Sequence, residues 1–123
     1  MTSPAVTFRL DPRSGELVVL DASGAESWRG LPGGRKARAI DVSGSRCVVL
    51  LEPDPATKND ENLIRVDGSG REIWRARPPD RSGPDCWVSA HVDGDRVTAS
   101  SWSGWRVVLD AESGALREST FAK

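Results

Sequence analysis

The sequence predicts an all-β fold, an antiparallel meander of about eleven short strands. Three observations lead to this prediction. Apolar residues alternate with polar ones or form short continuous runs, and no long stretch keeps the 3.6-residue period of an amphipathic helix. Turn sequences containing Asp and Gly separate the runs at the spacing found in β-sandwiches and barrels. A hairpin pattern also repeats along the chain.

This hairpin sequence occurs in three copies. The clearest is Leu63–Trp74, in which an apolar strand, a turn from Asp67 to Gly70 and a second strand follow one another. An earlier copy is Leu17–Trp28, and a looser copy is Arg106–Arg117. Three copies of one supersecondary unit indicate a repeat architecture.

The copies are regularly spaced. The turn residues Asp21, Asp67 and Asp110 are separated by 46 and 43 residues, a period typical of four-stranded repeating units. A single domain over residues 1–123 is the simplest organisation for a chain of this length. Its predicted units are 5–29, with three strands, and 36–77 and 86–122, with four strands each.

The strand boundaries follow from the turn residues. Asp side chains accept hydrogen bonds from nearby backbone amides, and Gly adopts positive φ without a Cβ clash. The dipeptide Asp93-Gly94 is the strongest short-range hairpin signal. In chain order, the predicted strands are 4–10, 16–20, 25–29, 36–42, 46–52, a hairpin over 62–76, then 86–92, 95–101, 105–109 and 115–121.

Three longer loops are predicted at 30–35, 53–61 and 77–85, where Pro, paired Gly and polar residues cluster. In an up-and-down meander, successive connections alternate between the two ends of the sheet. All tight Asp/Gly turns then fall at one end, and the three long loops fall at the other. Long loops on a rigid sheet are where recognition usually resides, so the loop end is the predicted binding end.

Composition argues against several function classes. Charged residues are 28% of the chain, of mixed sign, and the net charge is −1, which gives no reason to expect a nucleic-acid partner. The N-terminus lacks the basic and apolar regions of a signal peptide, and no apolar run approaches the roughly 20 residues of a membrane span. Cys47 and Cys86 are expected to be free buried thiols of a cytoplasmic protein.

The sequence contains no complete motif for catalysis or metal binding. His91 is the single histidine, so no His/Cys cluster has metal-ligand spacing. The Asp/Gly turns lack the further oxygen ligands of a calcium loop. The segment Ser100–Gly104 lacks the preceding Gly and following helix of a nucleophile elbow. The sequence therefore predicts no cofactor, no metal and no catalytic residue, in a protein that is not an enzyme.

The repeat resembles the blades of quinoprotein-like propellers, with a strand, an Asp, a Gly turn and a strand carrying Trp, best seen in Leu63–Trp74. The segment Ser101–Gly114, with the ending Phe121-Ala-Lys123, is also similar to a group of small, uncharacterised bacterial single-domain proteins. The resemblance implies a blade-like fold. It implies no established activity and no quinone site.

Full propellers typically have four to eight blades, more than this chain supplies. Two chains could complete a ring, the strands could close into a small barrel or two packed sheets, or the chain could be part of a longer protein. The Met1 start and the short polar end favour closure within one chain. A monomer or a homodimer is expected.

The predicted function is a non-catalytic module that binds a partner protein, one form of which is a toxin-neutralising immunity or accessory protein. Trp and Arg, the residues most enriched at interface hot spots, are frequent at the loop end. Trp28 and Trp74 occupy equivalent repeat positions and are expected to be structural. The predicted partner contacts are Arg35, Lys36, Arg77, Arg81, Trp87, Trp102 and Trp105.

An alternative is a small-ligand binder or enzyme with a pocket near Trp87, His91 and Trp102. A thermal-shift screen with metals, nucleotides and sugars separates the two classes, because a ligand that binds only the folded state raises the melting temperature.

Overall fold

The computed structural model describes residues 5–79 and 84–121, which form an all-β structure with eleven strands. The all-β prediction is confirmed. The strands are β1 Thr7–Leu10, β2 Leu17–Leu20, β3 Glu26–Gly30, β4 Ala37–Ser43, β5 Arg46–Leu51, β6 Leu63–Val66, β7 Glu72–Ala76, β8 Trp87–Asp93, β9 Arg96–Ser101, β10 Trp105–Asp110 and β11 Leu116–Phe121. A short 3-10 segment, Pro32–Gly34, precedes β4.

The described strands form three antiparallel sheets, in each of which neighbours in sequence are neighbours in space. Sheet 1 contains β1–β3, sheet 2 contains β4–β7 and sheet 3 contains β8–β11. The expectation that the strands close into a small barrel or two packed sheets is wrong. The strands stop pairing at each long loop, so the sheets stack face to face rather than continuing into one another.

Sheets 2 and 3 share one register. In sheet 2, Val42 pairs with Cys47 and Val48 with Arg65, and in sheet 3 Val92 pairs with Val97 at the matching position. Both sheets have a register shift near the start of their first strand and another in the last strand pair. The two sheets are therefore copies of one four-stranded unit, as the sequence repeat indicates.

Two apolar cores lie between the stacked sheets, and sheet 2 contributes to both. Cys47 and Val49 of β5 pack toward sheet 1, while Val48 and Leu50 pack toward sheet 3. Side chains of a strand alternate between its two faces, so a strand buried on both faces reads as a continuous apolar run. The apolar sequence of β5 is continuous because both faces of this strand are buried. Burial also raises the pKa of the Cys47 thiol to about 12, and both cysteines are unpaired, as predicted.

Tryptophan side chains join each sheet to a glycine turn of the next. A Cβ added to Gly70 would lie 2.4 Å from the Trp28 ring, and one added to Gly114 would lie 2.7 Å from the Trp74 ring. Trp74 also donates its indole N–H to the Ala111 carbonyl at 2.9 Å. The Trp of the repeat is thus structural, and the turn Gly is required for close approach as well as for positive φ.

The outer face of sheet 3 is polar where the equivalent face of sheet 2 is apolar. The strand registers make Thr98, Ser100, Arg106, Glu118 and Thr120 the counterparts of Val48, Leu50, Leu63, Trp74 and Ala76. Most of these sheet 3 side chains are exposed. Terminal repeats of stacked architectures carry such polar faces, and the outer face of sheet 3 has the same polar character.

The outer face of sheet 1 is covered by charge. Arg29 forms ion pairs with Asp11 at 3.0 Å, Glu16 at 3.1 Å and Glu26 at 2.6 Å. Val18 on the same strand pair has no exposed surface. The turn of sheet 1 ends at Gly24, whose Cβ position has nothing within 4 Å, so no Trp docks on it. Both ends of the three-sheet stack are therefore finished with polar groups.

Candidate functional site

The long loops lie together at one end of the sheets, as the alternation of connections predicts. The loop after β5 and the loop after β7 meet at a parallel bridge between Asn59 and Asp85. The Asp60 N–H donates to the Asp85 carbonyl at 2.9 Å, and the Asp85 N–H donates to the Lys58 carbonyl at 2.8 Å. These contacts join a loop within sheet 2 to the connection between sheets 2 and 3, and the surface that they form is called here the loop surface.

An ion pair holds the loop after β5 against the loop before β4. The Arg35 guanidinium donates to both Asp60 oxygens at 2.8 and 3.1 Å, and the Asp60 side chain is only 3% exposed. The Asp54 N–H also donates to Asp60, at 2.7 Å. A bidentate pair around a buried carboxylate is a structural clamp, because removing either partner leaves a charge uncompensated. The guanidinium of Arg35, a predicted partner contact, is therefore used in this structural ion pair with Asp60.

A buried carboxylate fixes the tight turn between β9 and β10. Asp85 accepts hydrogen bonds from the Ser103 N–H at 2.9 Å and the Ser103 hydroxyl at 2.7 Å. The Trp102 N–H donates to the Cys86 carbonyl at 2.8 Å, and the Trp105 N–H donates to the Ser101 hydroxyl at 3.2 Å. The turn is consequently attached to the loop after β7 by both backbone and side chain.

Trp102 lies at the tip of this fixed turn with its side chain turned outward. The residue is 66% exposed, the highest value among the exposed large hydrophobic residues. It borders a shallow cleft of about 230 Å³, whose other walls include Pro53, Pro55, Pro84 and Lys58. The site therefore presents a large indole on a rigid support beside a largely apolar cleft.

Trp87 does not belong to this surface. It is fully buried between sheets 2 and 3, and its indole N–H donates to the Ala76 carbonyl at 3.0 Å. Its backbone N–H donates at 2.7 Å to Asn62, a buried side chain that also bonds the Leu51 carbonyl. The expectation that Trp87 contacts a partner is corrected, because its ring fills the core beneath the loops.

The other predicted contact residues are dispersed. Arg77 is exposed and pairs with Glu61 at 2.9 Å. Trp105 is half-buried, with its ring 5.2 Å from Phe121 in an edge-to-face contact. Lys36 is exposed, and its backbone carbonyl accepts from the Glu52 N–H. Arg81 lies outside the described residues.

The alternative pocket near Trp87, His91 and Trp102 is not formed by these side chains. His91 lies on β8, where its Nδ1 is 2.8 Å from Asp41, and it lines a depression of about 390 Å³ on the outer face of sheet 3. Trp102 borders the separate cleft of the loop surface. The two residues therefore serve different surfaces.

The Asp residues of the tight turns are occupied by the turns themselves. Asp67 accepts hydrogen bonds from the Ser69 N–H, the Ser69 hydroxyl and the Arg71 N–H, and these bonds hold the pKa of its carboxyl below the usual value despite desolvation. Asp21 makes the same set in sheet 1. Within the described ranges, no three His, Cys, Asp or Glu side chains form a group able to hold a metal. Among the residues that the structure describes, no helix is long and apolar enough to cross a membrane.

Asp85→Ala is expected to lower the free energy of unfolding by about 1–3 kcal/mol, because it leaves the part-buried donors of Cys86 and Ser103 without an acceptor. Amide hydrogen exchange at Trp102 and Ser103 should accelerate at the same time. Urea denaturation and exchange mass spectrometry measure the two effects. Asp54→Ala is the matched control, since Asp54 caps only its own exposed turn. Equal losses from the two variants would contradict the anchoring role of Asp85.

A family model for a domain of unknown function, DUF7957, matches residues 35–121, which include all of sheets 2 and 3. The chain belongs to the DUF7957 family. No curated protein matches the sequence.

Solved structures show what the DUF7957 fold is similar to. BamB from Moraxella catarrhalis matches 96% of this chain at 23% identity with a TM-score of 0.56. The quinohemoprotein alcohol dehydrogenase of Comamonas testosteroni matches 97% at 16% identity with a TM-score of 0.65. The designed protein Ika8 matches 100% at 14% identity with a TM-score of 0.66. These likenesses confirm the predicted propeller-type fold.

The three matches differ greatly from this chain in length. The DUF7957 chain covers 33% of the BamB structure, 36% of Ika8 and 20% of the dehydrogenase. At such identities the likeness extends to the fold alone, because proteins that share a fold often have different functional sites.

Proposed function

We propose that this DUF7957 protein is a non-catalytic, cytoplasmic module that binds a partner protein through its loop surface. In its more specific form, the proposal is that the protein acts as an immunity protein that neutralises a toxin, or as an accessory protein that assists its partner. The free cysteines support a reducing compartment.

The observation that carries the proposal is the rigid exposure of Trp102. Large aromatic side chains bury extensive apolar area, and leaving one in water forgoes about 1.5–3 kcal/mol. Here a buried carboxylate, Asp85, holds the turn that presents it. Pre-organised Trp side chains beside a cleft are typical of interface hot spots, because little conformational entropy is lost on binding.

The loop surface also has the polar surroundings of an interface rim. Arg77 with Glu61 and the exposed Lys58 lie on the loops around the cleft. Such rim charges steer a partner more than they add affinity. The depression on sheet 3 lacks a comparable aromatic anchor among its lining residues.

Trp102→Ala is expected to weaken partner binding about 30-fold, the effect of losing a hot spot of about 2 kcal/mol. Tagged wild-type protein first identifies its partners by quantitative affinity capture from cells that produce it. Titration calorimetry with the purified partner then compares the variants. The melting temperature of each variant is measured as well, so that a loss of binding is distinguished from a loss of stability.

Leu116→Ala is the matched control, because Leu116 is 54% exposed but follows a tight turn at the opposite end. It should bind the partner like the wild type. If Trp102→Ala also binds with wild-type affinity, the partner uses another surface and the proposal is wrong.

A further inference from the structure

The depression of about 390 Å³ on the outer face of sheet 3 is floored by two rows of paired residues that cross all four strands. The first row is Ser89, Ser100, Arg106 and Thr120. The second row, two residues along each strand, is His91, Thr98, Val108 and Glu118. Val108 is the only apolar member of these rows. The depression thus combines a polar floor with the volume of a small-ligand site, about 300–1,000 Å³.

The opposite face of sheet 3 shows why a further sheet does not suit this depression. Val97, Val107 and Leu109 of that face are buried against sheet 2. A further sheet packed in the same way would place apolar side chains on Arg106 and Glu118. Burial of a charge without a partner is strongly unfavourable. A ligand with charges and hydrogen-bonding groups of its own meets no such cost.

The depression contains one unpaired positive and one unpaired negative side chain. Arg106 of the first row and Glu118 of the second are diagonal neighbours on β10 and β11. Side chains of this length reach each other from diagonal positions. Among the residues that the structure describes, however, neither side chain forms an ion pair or a hydrogen bond. Both residues are exposed, so both charges are accessible to a ligand.

These two charges favour a ligand that carries both signs. Ser100 and Thr120 lie directly opposite Arg106 on the neighbouring strands. A guanidinium and two hydroxyls are donors for a carboxylate, which Arg binds with two parallel hydrogen bonds. The Glu118 carboxylate repels a simple anion but accepts hydrogen bonds from an ammonium group. Because a single carbon separates the ammonium and carboxylate of an α-amino acid, both groups fit between diagonal neighbours.

The β8 side of the depression is small and polar. The Nδ1 atom of His91 is 2.8 Å from Oδ2 of Asp41, which holds the imidazole ring in place. Within the described ranges, nothing bonds to Nε2 of His91 or to the hydroxyl of Ser89, and both residues line the depression. A large apolar side chain of a ligand would find no apolar wall here, whereas a short polar one would find a hydroxyl and an imidazole.

We infer that the depression on sheet 3 binds a free α-amino acid with a short polar side chain. The carboxylate of the ligand lies on Arg106, and its ammonium group lies on Glu118. Its side chain points toward Ser89 and His91. The cleft of the loop surface lies elsewhere, so the inference stands whether or not the loop surface binds a partner protein.

Titration calorimetry of the full chain with each common L-amino acid in turn tests the inference. At least one of L-serine, L-threonine, L-asparagine and L-aspartate should bind saturably, with a dissociation constant of about 1 mM or below. Its N-acetyl derivative lacks the ammonium group, and its amide lacks the carboxylate charge. Each of these derivatives should bind at least about tenfold more weakly, because one charge-assisted contact is lost.

Arg106→Gln and Glu118→Gln should each weaken binding of that amino acid about tenfold or more, for the same reason. The effect should be selective, since Glu118→Gln should not weaken binding of the N-acetyl derivative, which has no ammonium group. Arg96→Gln is the matched control, because Arg96 is exposed on β9 but does not line the depression. It should bind like the wild type. Circular dichroism checks that the three variants fold.

Absence of saturable binding by every amino acid overturns the inference. Binding that neither Arg106→Gln nor Glu118→Gln weakens also overturns it, because the ligand then occupies another surface. Equal binding of the amino acid and its N-acetyl derivative would assign the depression to simple anions. Dimerisation of the wild-type chain that Arg106→Gln abolishes would assign it to a second copy, and either of these two results also contradicts the inference.

Discussion

Gly114→Ala is expected to lower the free energy of unfolding by about 3 kcal/mol, the sum of two effects. Gly114 has φ of +76°, where an L-residue costs about 1–2 kcal/mol. Its new Cβ would also lie 2.7 Å from Trp74, a ring held in the core by its bond to Ala111. Displacing a packed ring costs a further 1–3 kcal/mol, roughly. Urea denaturation monitored by circular dichroism measures the loss.

Gly24→Ala separates the two effects. Gly24 also ends a tight turn opened by Asp and has φ of +88°, but nothing lies within 4 Å of its Cβ position. This control should lose only the conformational part, about 1–2 kcal/mol. If both variants lose the same free energy, the contact between Trp74 and the turn contributes nothing to the joint between sheets 2 and 3.

A variant that gives sheet 3 the outer face of sheet 2 is expected to self-associate. It carries Thr98→Val, Ser100→Leu, Arg106→Leu, Glu118→Trp and Thr120→Ala. The result is a contiguous apolar sheet face, a surface that proteins normally cover. Light scattering should give about 13.3 kDa for the wild-type chain and at least a dimer for the variant.

The matched control removes charge without adding apolar surface, through Arg106→Gln and Glu118→Gln. It should remain monomeric. A monomeric five-residue variant would show that polarity of the sheet 3 face is not what ends the stack.

Local chemistry made most of the fold predictable. Turn residues such as Asp67 and Gly70 mark the hairpins, and alternation of connections places the long loops together. The prediction that the strands close into a small barrel or two packed sheets was wrong. The sequence does indicate the observed stacking, because the continuous apolar run from Cys47 to Leu51 is typical of a strand buried on both faces. Period-two alternation of the kind found in barrels does not produce such a run.

The candidate site was predictable only in part. Trp102 was expected at the loop end because it stands between two predicted strands, and it lies there on an exposed turn. The ion pair of Arg35 with Asp60 joins loops 25 residues apart, and no local pattern encodes it. Trp87 follows a loop in sequence, but its side-chain direction depends on the register of β8 with β9, which the sequence does not reveal.

Sheet 2 contains both partners of the Trp–Gly contact that connects neighbouring sheets. Its Gly70 receives Trp28, and its Trp74 rests on Gly114. A tandem duplication of this sheet would therefore insert a new layer whose own Trp and Gly match those on either side. The number of layers in such proteins can thus change by gene duplication, while the polar faces of the first and last sheets stay where they are.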